Sequence, residues 1–486
     1  MPIPKRKTDI KETMMKRILT VAFLLILMVG CTSRKVEEWV VTTPDAAWQS
    51  PDAGSVRFLR EGDPDAVVDY SVTGQTIEGF GACFNELGWL SLSQLDEADR
   101  VAVMKELFEP GTGANLNVCR LPIAANDFAR DWYSFDETDG DFEMKDFSID
   151  NDKETLIPFI KEALSYKPDM KLWATPWSPP LWMKDNKHYA CQPMPASSSI
   201  SNGLRPDQIR REGVNMFIQD KAYFEAYALY FSKFIQAYRE EGIDISMVMP
   251  QNEFNSCQNF PSCTWTAAGL AEFVGKYLGP EMKKIGVEVM FGTMERPDPA
   301  MAEVVLDDPF CHEYVSGIGF QWAGKEALPE IHRRYPELTL YQTEQECGDG
   351  RNDWEGCEYS WELMKHYLKN GVNVYDYWNI SLEEGGMSRW GWHQNSFVTV
   401  NKENRTSSFT YEYYLFKHAS HFVKPGACFL PVSGNYGDML AFLNPDGQCV
   451  LILHNPQDEE SAKILEVDGK LLEVTLNPNS FNTIVL

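Results

Sequence analysis

Short apolar runs recur through the middle of the chain, and most are followed by apolar residues spaced every three or four positions. The runs at 77–84, 116–123, 171–177, 245–251, 287–293, 315–322, 338–343 and 372–380 predict strands. Helical patterns follow near 94–108, 153–165, 223–240, 267–285, around Ala300, and near 325–334, 359–369 and 407–422. Eight such alternations in about 350 residues predict an α/β chain folded as a (β/α)8 TIM barrel. A doubly wound open sheet shares the alternation, but it usually announces itself by a glycine-rich first turn, which is absent.

Beyond Pro425 the period changes from helical to alternating. Runs at 439–443 and 449–453 flank Pro445-Asp446-Gly447, a hairpin signature. Further alternating runs lie at 462–467, 471–476 and 481–486, with similar ones at 56–59 and 67–72. Both chain ends therefore predict one side β-sandwich, built from 56–75 and 425–486, with the barrel over 76–424. No internal repeat of fixed period and no low-complexity segment is present.

At the start, Lys16 and Arg17 precede an apolar run over 18–29, broken only by Thr20, and Gly30 and Cys31 follow. The run is too short to span a bilayer stably and predicts a signal peptide over 1–30. The ending Met28-Val29-Gly30-Cys31 resembles a bacterial lipobox, with Met28 where Leu is more usual. It makes Cys31 the expected lipidated first residue of the mature chain, an ordinary cleaved signal being the alternative. Either reading exports the protein, as a cell-surface or periplasmic lipoprotein of a bacterium or as a secreted chain. Residues 1–13 add nothing that a signal needs, so Met14 or Met15 also serves as a start. Residues 31–55, rich in Thr, Ser, Pro and Asp, read as a tether.

Composition narrows the function. With 71 acids against 44 bases the net charge is −27, which repels phosphate backbones and argues against a nucleic-acid partner. There are eight His, and no CxxC pair, no HExxH, no P-loop and no GxGxxG after a strand, so neither a metal nor a cofactor is expected. Without Cys31 ten cysteines remain. Cys257 with Cys263, and Cys347 with Cys357, are close enough in sequence to pair, although free buried thiols fit equally well.

Barrel active sites lie at the C-terminal ends of the strands. The fourth strand ends in Gln251-Asn252-Glu253 and the seventh in Thr343-Glu344. A lone glutamate there serves a loop ion pair as readily as chemistry. Two at these positions suit glycoside hydrolysis, in which one acid protonates the leaving oxygen and a second carboxylate attacks the anomeric carbon. Arg120, in the second strand, can orient a carboxylate and keep it ionised. Trp177, Trp182, Trp322 and Trp378 fall at or just beyond strand ends, where flat rings suit the C–H faces of sugars. Trp173 and Trp361 read as core. Asp127 either accepts bonds from sugar hydroxyls or caps a loop, and Gly79-Phe80-Gly81 reads as a tight turn.

These segments together resemble glycoside hydrolase family 30. The resemblance is carried by Gly79-Phe80-Gly81-Ala82-Cys83-Phe84-Asn85-Glu86, by Arg120-Leu121-Pro122-Ile123 with Asn126-Asp127-Phe128, and by Gln251-Asn252-Glu253 and Thr343-Glu344. The string Pro176-Trp177-Ser178-Pro179-Pro180-Leu181-Trp182-Met183-Lys184 is its most specific part, and His421-Phe422-Val423-Lys424-Pro425-Gly426 closes it. It covers about residue 65 to the C-terminus. It implies a barrel with a side sandwich and a retaining mechanism, with Glu253 as acid/base and Glu344 as nucleophile. It also implies that Asp127, Trp177, Asn252 and Trp378 line the subsite of the cleaved sugar.

The stretch Gln321-Trp322-Ala323-Gly324-Lys325 departs from the family's His-containing one and lacks its tyrosine partner for the nucleophile. Glu346 is the alternative nucleophile, two residues after Glu344. The form Glu344-Gln345-Glu346-Cys347-Gly348-Asp349-Gly350 looks like the branch that hydrolyses β-1,6-glucan. The expectation is therefore an endo-β-1,6-glucanase whose partner is a carbohydrate and whose only membrane contact is the lipid anchor. Glucosylceramidase-like, exo-β-glucosidase or xylanase activity with the same glutamate pair is the alternative. A non-catalytic glycan-binding lipoprotein is the more distant one, since binding alone has no use for two poised carboxylates.

Overall fold

The structure, a computed structural model, describes residues 35–486, so the signal segment and Cys31 lie outside the described residues. Eight parallel strands close into a barrel. They are β1 (Gly79–Cys83), β2 (Val118–Ile123), β3 (Lys171–Pro176), β4 (Met247–Val248), β5 (Glu288–Met294), β6 (Val315–Gln321), β7 (Thr339–Glu344) and β8 (Val374–Asn379). Every residue of β1, β2 and β8 is buried, because helices cover one side and the barrel interior the other. This double burial is why the strands read as mostly apolar runs, with Arg120 in β2 and Asp376 in β8 as buried exceptions.

Local chemistry sets the boundaries. The expected fourth strand shrinks to Met247–Val248, since Pro250 has no N–H to give a ladder. Beyond it the backbone still reaches its neighbours: Asn252 N–H donates to Pro176 O at 2.7 Å, and Thr293 N–H to Gln251 O at 2.7 Å. The tight turn expected at Gly79-Phe80-Gly81 is instead strand β1. A Cβ on Gly81 would lie 1.4 Å from Val118 O, so glycine is required by close approach to β2. The expected helix over 267–285 carries a π turn at Val274–Leu278, two residues before Pro280, which has no N–H to donate. The start of the expected helix over 407–422 is strand: Thr406–Phe409 pairs with Val398–Asn401, and the helix Tyr411–Ser420 begins only after its cap Thr410.

The side domain has a six-stranded and a five-stranded sheet. Side-chain alternation in the larger sheet does two jobs. Val450 and Ile452 face the barrel core, whereas Cys449, Leu451 and Leu453 face the smaller sheet. The segment expected to be a tether contributes to this domain. Its strand Glu38–Thr42 pairs antiparallel with Ser480–Val485, and Trp39 Nε1 donates to Asn482 Oδ1 at 3.2 Å. Trp48 then stacks on Phe422, with Lys417 Nζ 4.3 Å from its ring centre. Among the described residues the cysteines form no disulfide, so neither Cys257 with Cys263 nor Cys347 with Cys357 is bonded.

Because Trp39 is a core residue rather than part of a linker, Trp39→Ala should lower unfolding stability by about 3 kcal/mol, within the range for a buried tryptophan. Denaturant titration checks this, and a free tether would give no change.

Candidate active site

Arg120 organises the mouth of the barrel. It sits in β2 with no exposure to solvent, and a buried charge must be paired. Its Nη1 donates to Glu344 Oε2 at 2.9 Å and to Thr343 O at 3.1 Å, and its Nη2 to Asn252 Oδ1 at 2.7 Å. The flat cation lies 4.4 Å from the ring centre of Trp177, 5.0 Å from that of Trp173 and 5.4 Å from that of Trp378. One side chain thus fixes the ends of β4 and β7 relative to each other.

Glu344 closes β7 and also accepts from Trp322 Nε1 at 3.0 Å. Glu253 follows β4 in a left-handed turn with φ of 46°, pinned where its N–H donates to Thr293 Oγ1 at 2.8 Å. Between the two glutamates lies Gln321, at the end of β6. Its Nε2 donates to Glu253 Oε1 at 3.1 Å and to Glu344 Oε2 at 3.2 Å. The same nitrogen donates to Asn252 Oδ1 at 3.2 Å, and since that oxygen and the Glu344 carboxylate only accept, they fix which way the amide points. The two glutamate oxygens cannot be further apart than the sum of their distances to this nitrogen. One amide nitrogen thus spans the two carboxylates, a short bridge of the kind that suits a retaining pair, whose carboxyl groups lie roughly 5–5.5 Å apart.

Burial pushes the carboxyl of Glu253 well above its ordinary range, and the charges of Glu344, Glu295 and Asp127 push it the same way. Burial also raises Glu344, but Arg120 and the donors Trp322 and Gln321 oppose it. Asp127 is raised by burial and by Glu344. Glu295 is pushed up to about 7 by burial, against the pull of Arg296.

The cavity above this pair is lined by the carboxylates Asp127, Glu253, Glu295 and Glu344, the amides Gln258 and Gln394, and the rings Phe260, Trp322 and Trp392. Of the expected residues, Asp127, Glu253, Glu344 and Trp322 therefore face it. Arg120 and Asn252 lie behind it, bonded to each other. Trp177 and Trp378, expected against the sugar, are also behind it, 1% and 0% exposed and stacked at 5.4 Å. Their rings shield the guanidinium, which leaves Trp322, Phe260 and Trp392, the last two with ring centres 4.9 Å apart, as the aromatic walls of the cavity.

Glu346 points elsewhere, accepting from Lys325 Nζ at 2.7 Å and Tyr359 OH at 2.8 Å. Gln321 and Gln258, whose Nε2 donates to Glu253 Oε2 at 3.2 Å, were not foreseen. The one available signal was a polar residue closing an otherwise apolar sixth strand. Lys184, at the end of the Trp-Ser-Pro-Pro string, is buried and donates to Ser178 Oγ, Tyr189 O and Ser262 O, stapling the loops after β3 and β4.

Carboxylates this close, under aromatic rings and amides at a barrel mouth, are the apparatus for protonating and displacing a glycosidic oxygen, and they mark a glycoside hydrolase. The chain belongs to glycosyl hydrolase family 30: residues 77–424 match that family's TIM-barrel domain and residues 433–484 its β-sandwich domain. It is 29% identical over 414 residues to putative glucosylceramidase 1 of Caenorhabditis elegans, covering 80% of this chain and 75% of that one. It is 25% identical over 443 residues to an endo-1,6-beta-D-glucanase of Neurospora crassa, covering 85% of each. The solved structure of the endo-beta1,6-glucanase BT3312 superposes with a TM-score of 0.77 at 25% identity, covering 93% of this chain and 99% of that one.

Gln321→Met keeps the volume of the side chain and removes the shared donor. A hydrogen bond to a charged group contributes about 1.5–3 kcal/mol, so kcat/KM should fall about ten- to a hundredfold. Steady-state kinetics with a melting curve as control check this, and an unchanged kcat/KM would remove Gln321 from the site.

Proposed function

We propose that the protein is a retaining endo-β-1,6-glucanase. The observation that carries this reading is the cavity wall, which is made only of carboxylates, amides and aromatic rings, with no aliphatic side chain. Such a wall suits a leaving group that is another sugar, with C–H faces for the rings and hydroxyls for the polar groups. The apolar surface there is flat ring face rather than aliphatic side chain, which suits the C–H face of a sugar better than a lipid tail. The endo-1,6-glucanase names of the Neurospora relative and of BT3312 support the linkage. A glucosylceramidase-like activity is the second reading, favoured by the 29% identity to the nematode relative.

In the proposed mechanism Glu344 attacks the anomeric carbon while Glu253 gives its proton to the departing glycosidic oxygen. The glycosyl–Glu344 ester forms as the carbon–oxygen bond to the leaving sugar breaks. Glu253, now a carboxylate, takes a proton from water, whose oxygen attacks the same carbon and frees Glu344. The raised pKa of Glu253 keeps it protonated at rest, and Arg120, Trp322 and Gln321 support the charge on Glu344. Activity then rises with pH as Glu344 loses its proton and falls as Glu253 loses its own.

The exported chain, assayed on β-1,6-, β-1,3- and β-1,4-glucans, glucosylceramide and a uronate-substituted xylan, should release ends from β-1,6-glucan at least about tenfold faster than from the rest. The acid-lined cavity should reject the uronate. A higher kcat/KM on glucosylceramide would replace this reading with the second.

We also propose that Cys31 carries lipid and holds the enzyme at the cell surface, supported by the order of basic, apolar and small residues before it at 16–30. Cys31→Ser in the full chain should move the protein from the detergent phase to the aqueous phase. An unchanged partition would exclude the anchor.

A further inference from the structure

The second glutamate of Thr343-Glu344-Gln345-Glu346 has no part in the mechanism above, yet both its oxygens are engaged. Lys325 Nζ donates to Oε1 at 2.7 Å and Tyr359 OH to Oε2 at 2.8 Å. The same Lys325 Nζ donates to the backbone O of Trp322 at 3.2 Å. Trp322 is held in the left-handed region, with φ of 48°, a conformation that a bulky residue keeps only when its surroundings hold it there. From that turn its indole Nε1 reaches Glu344 Oε1 at 3.0 Å.

The contacts form a closed ring. It runs from Glu344 to the Trp322 indole, through the Trp322 carbonyl to Lys325, across to Glu346, and two residues back along the chain to Glu344. The ion pair is mostly shielded, its side chains 20% and 16% exposed, so it holds one geometry better than a pair in open solvent. It joins the loop that carries the nucleophile's donor to the loop that carries the nucleophile.

We propose that the Lys325–Glu346 ion pair is a positioning device that holds the Trp322 turn, keeps its indole N–H on Glu344 and thereby keeps that carboxylate ready to attack. This rests on the assignment of Glu344 as nucleophile in the proposed function. The indole N–H is a donor that does not titrate. Other titratable or charged groups facing Glu344 are Arg120 in β2, Cys83 in β1, Asp127 after β2, Glu253 after β4, Cys347 after β7 and Tyr367 in the helix Trp354–Lys369. Their fields also shape the acid limb, which is therefore read as a difference between variants.

The test is the pH profile of kcat/KM for β-1,6-glucan with Lys325→Met, Glu346→Gln, Lys325→Arg and Trp322→Phe. In Lys325→Met and Glu346→Gln, kcat should fall about tenfold with little change in KM. Their acid limb should move up by at least about half a pH unit, because Glu344 loses a donor to its charged form. Lys325→Arg should restore both readouts. Trp322→Phe, which loses the donor and retains a ring, should shift the limb the same way, and it decides the matter if the ion-pair variants fail to fold. An acid limb that stays put in Trp322→Phe, or in a folded Lys325→Met, overturns the proposal. Glu344→Ala separates this from the underlying assignment. Rescue by azide with an α-glycosyl azide product supports Glu344 as nucleophile, so an unmoved limb then sinks the positioning role alone. An active Glu344→Ala sinks both.

Discussion

A guanidinium with no access to solvent is the constraint around which the barrel mouth is built. Removed from water, Arg120 needs partners for its charge, and they come from the ends of β4 and β7. Its flat faces need apolar cover that still tolerates a cation, and Trp173, Trp177 and Trp378 supply it. The positions of Asn252 and Glu344 follow from those contacts. Gln321 then bridges Glu344 and Glu253, with its own orientation fixed by the acceptors Asn252 Oδ1 and Glu344 Oε2. Changing any one of these groups leaves a buried polar atom without its partner, which is costly in a low-dielectric interior.

The two glutamates are chemically identical and differ only in surroundings. Glu344 has a cation and an indole N–H on it, while Glu253 has two neutral amides and several negative neighbours. This asymmetry separates their affinities for a proton in the direction that an acid and a nucleophile require. Glu295 adds to it from the cavity wall. Pushed up to about 7, it carries a negative charge only once ionised, and that charge then favours a proton on Glu253.

Strands such as Glu288–Met294 were legible because burial on both faces writes a largely apolar run. Glu253 and Glu344 were legible because charged residues that end such runs have few structural explanations. Gln321 carries no comparable mark, since its role depends on where two other strands end. Trp177 and Trp378 stand at strand ends as expected, but the need to cover Arg120 draws them behind the cavity rather than into it. The strand Glu38–Thr42 was hidden because its partner lies more than 400 residues away and its flanks are small and polar. Phe260 and Trp392 belong to loops, where aromatic residues follow no period, so only the folded chain shows that they meet.

Two carboxylates bridged by one amide donor suit double displacement rather than attack by a water seated between them. Proton NMR of the first anomer released from a β-linked glucan tests it directly. The account predicts the β-anomer at first, with the α-anomer growing in only by mutarotation. An α-anomer released first would mean inversion and would contradict the geometry on which the mechanism stands.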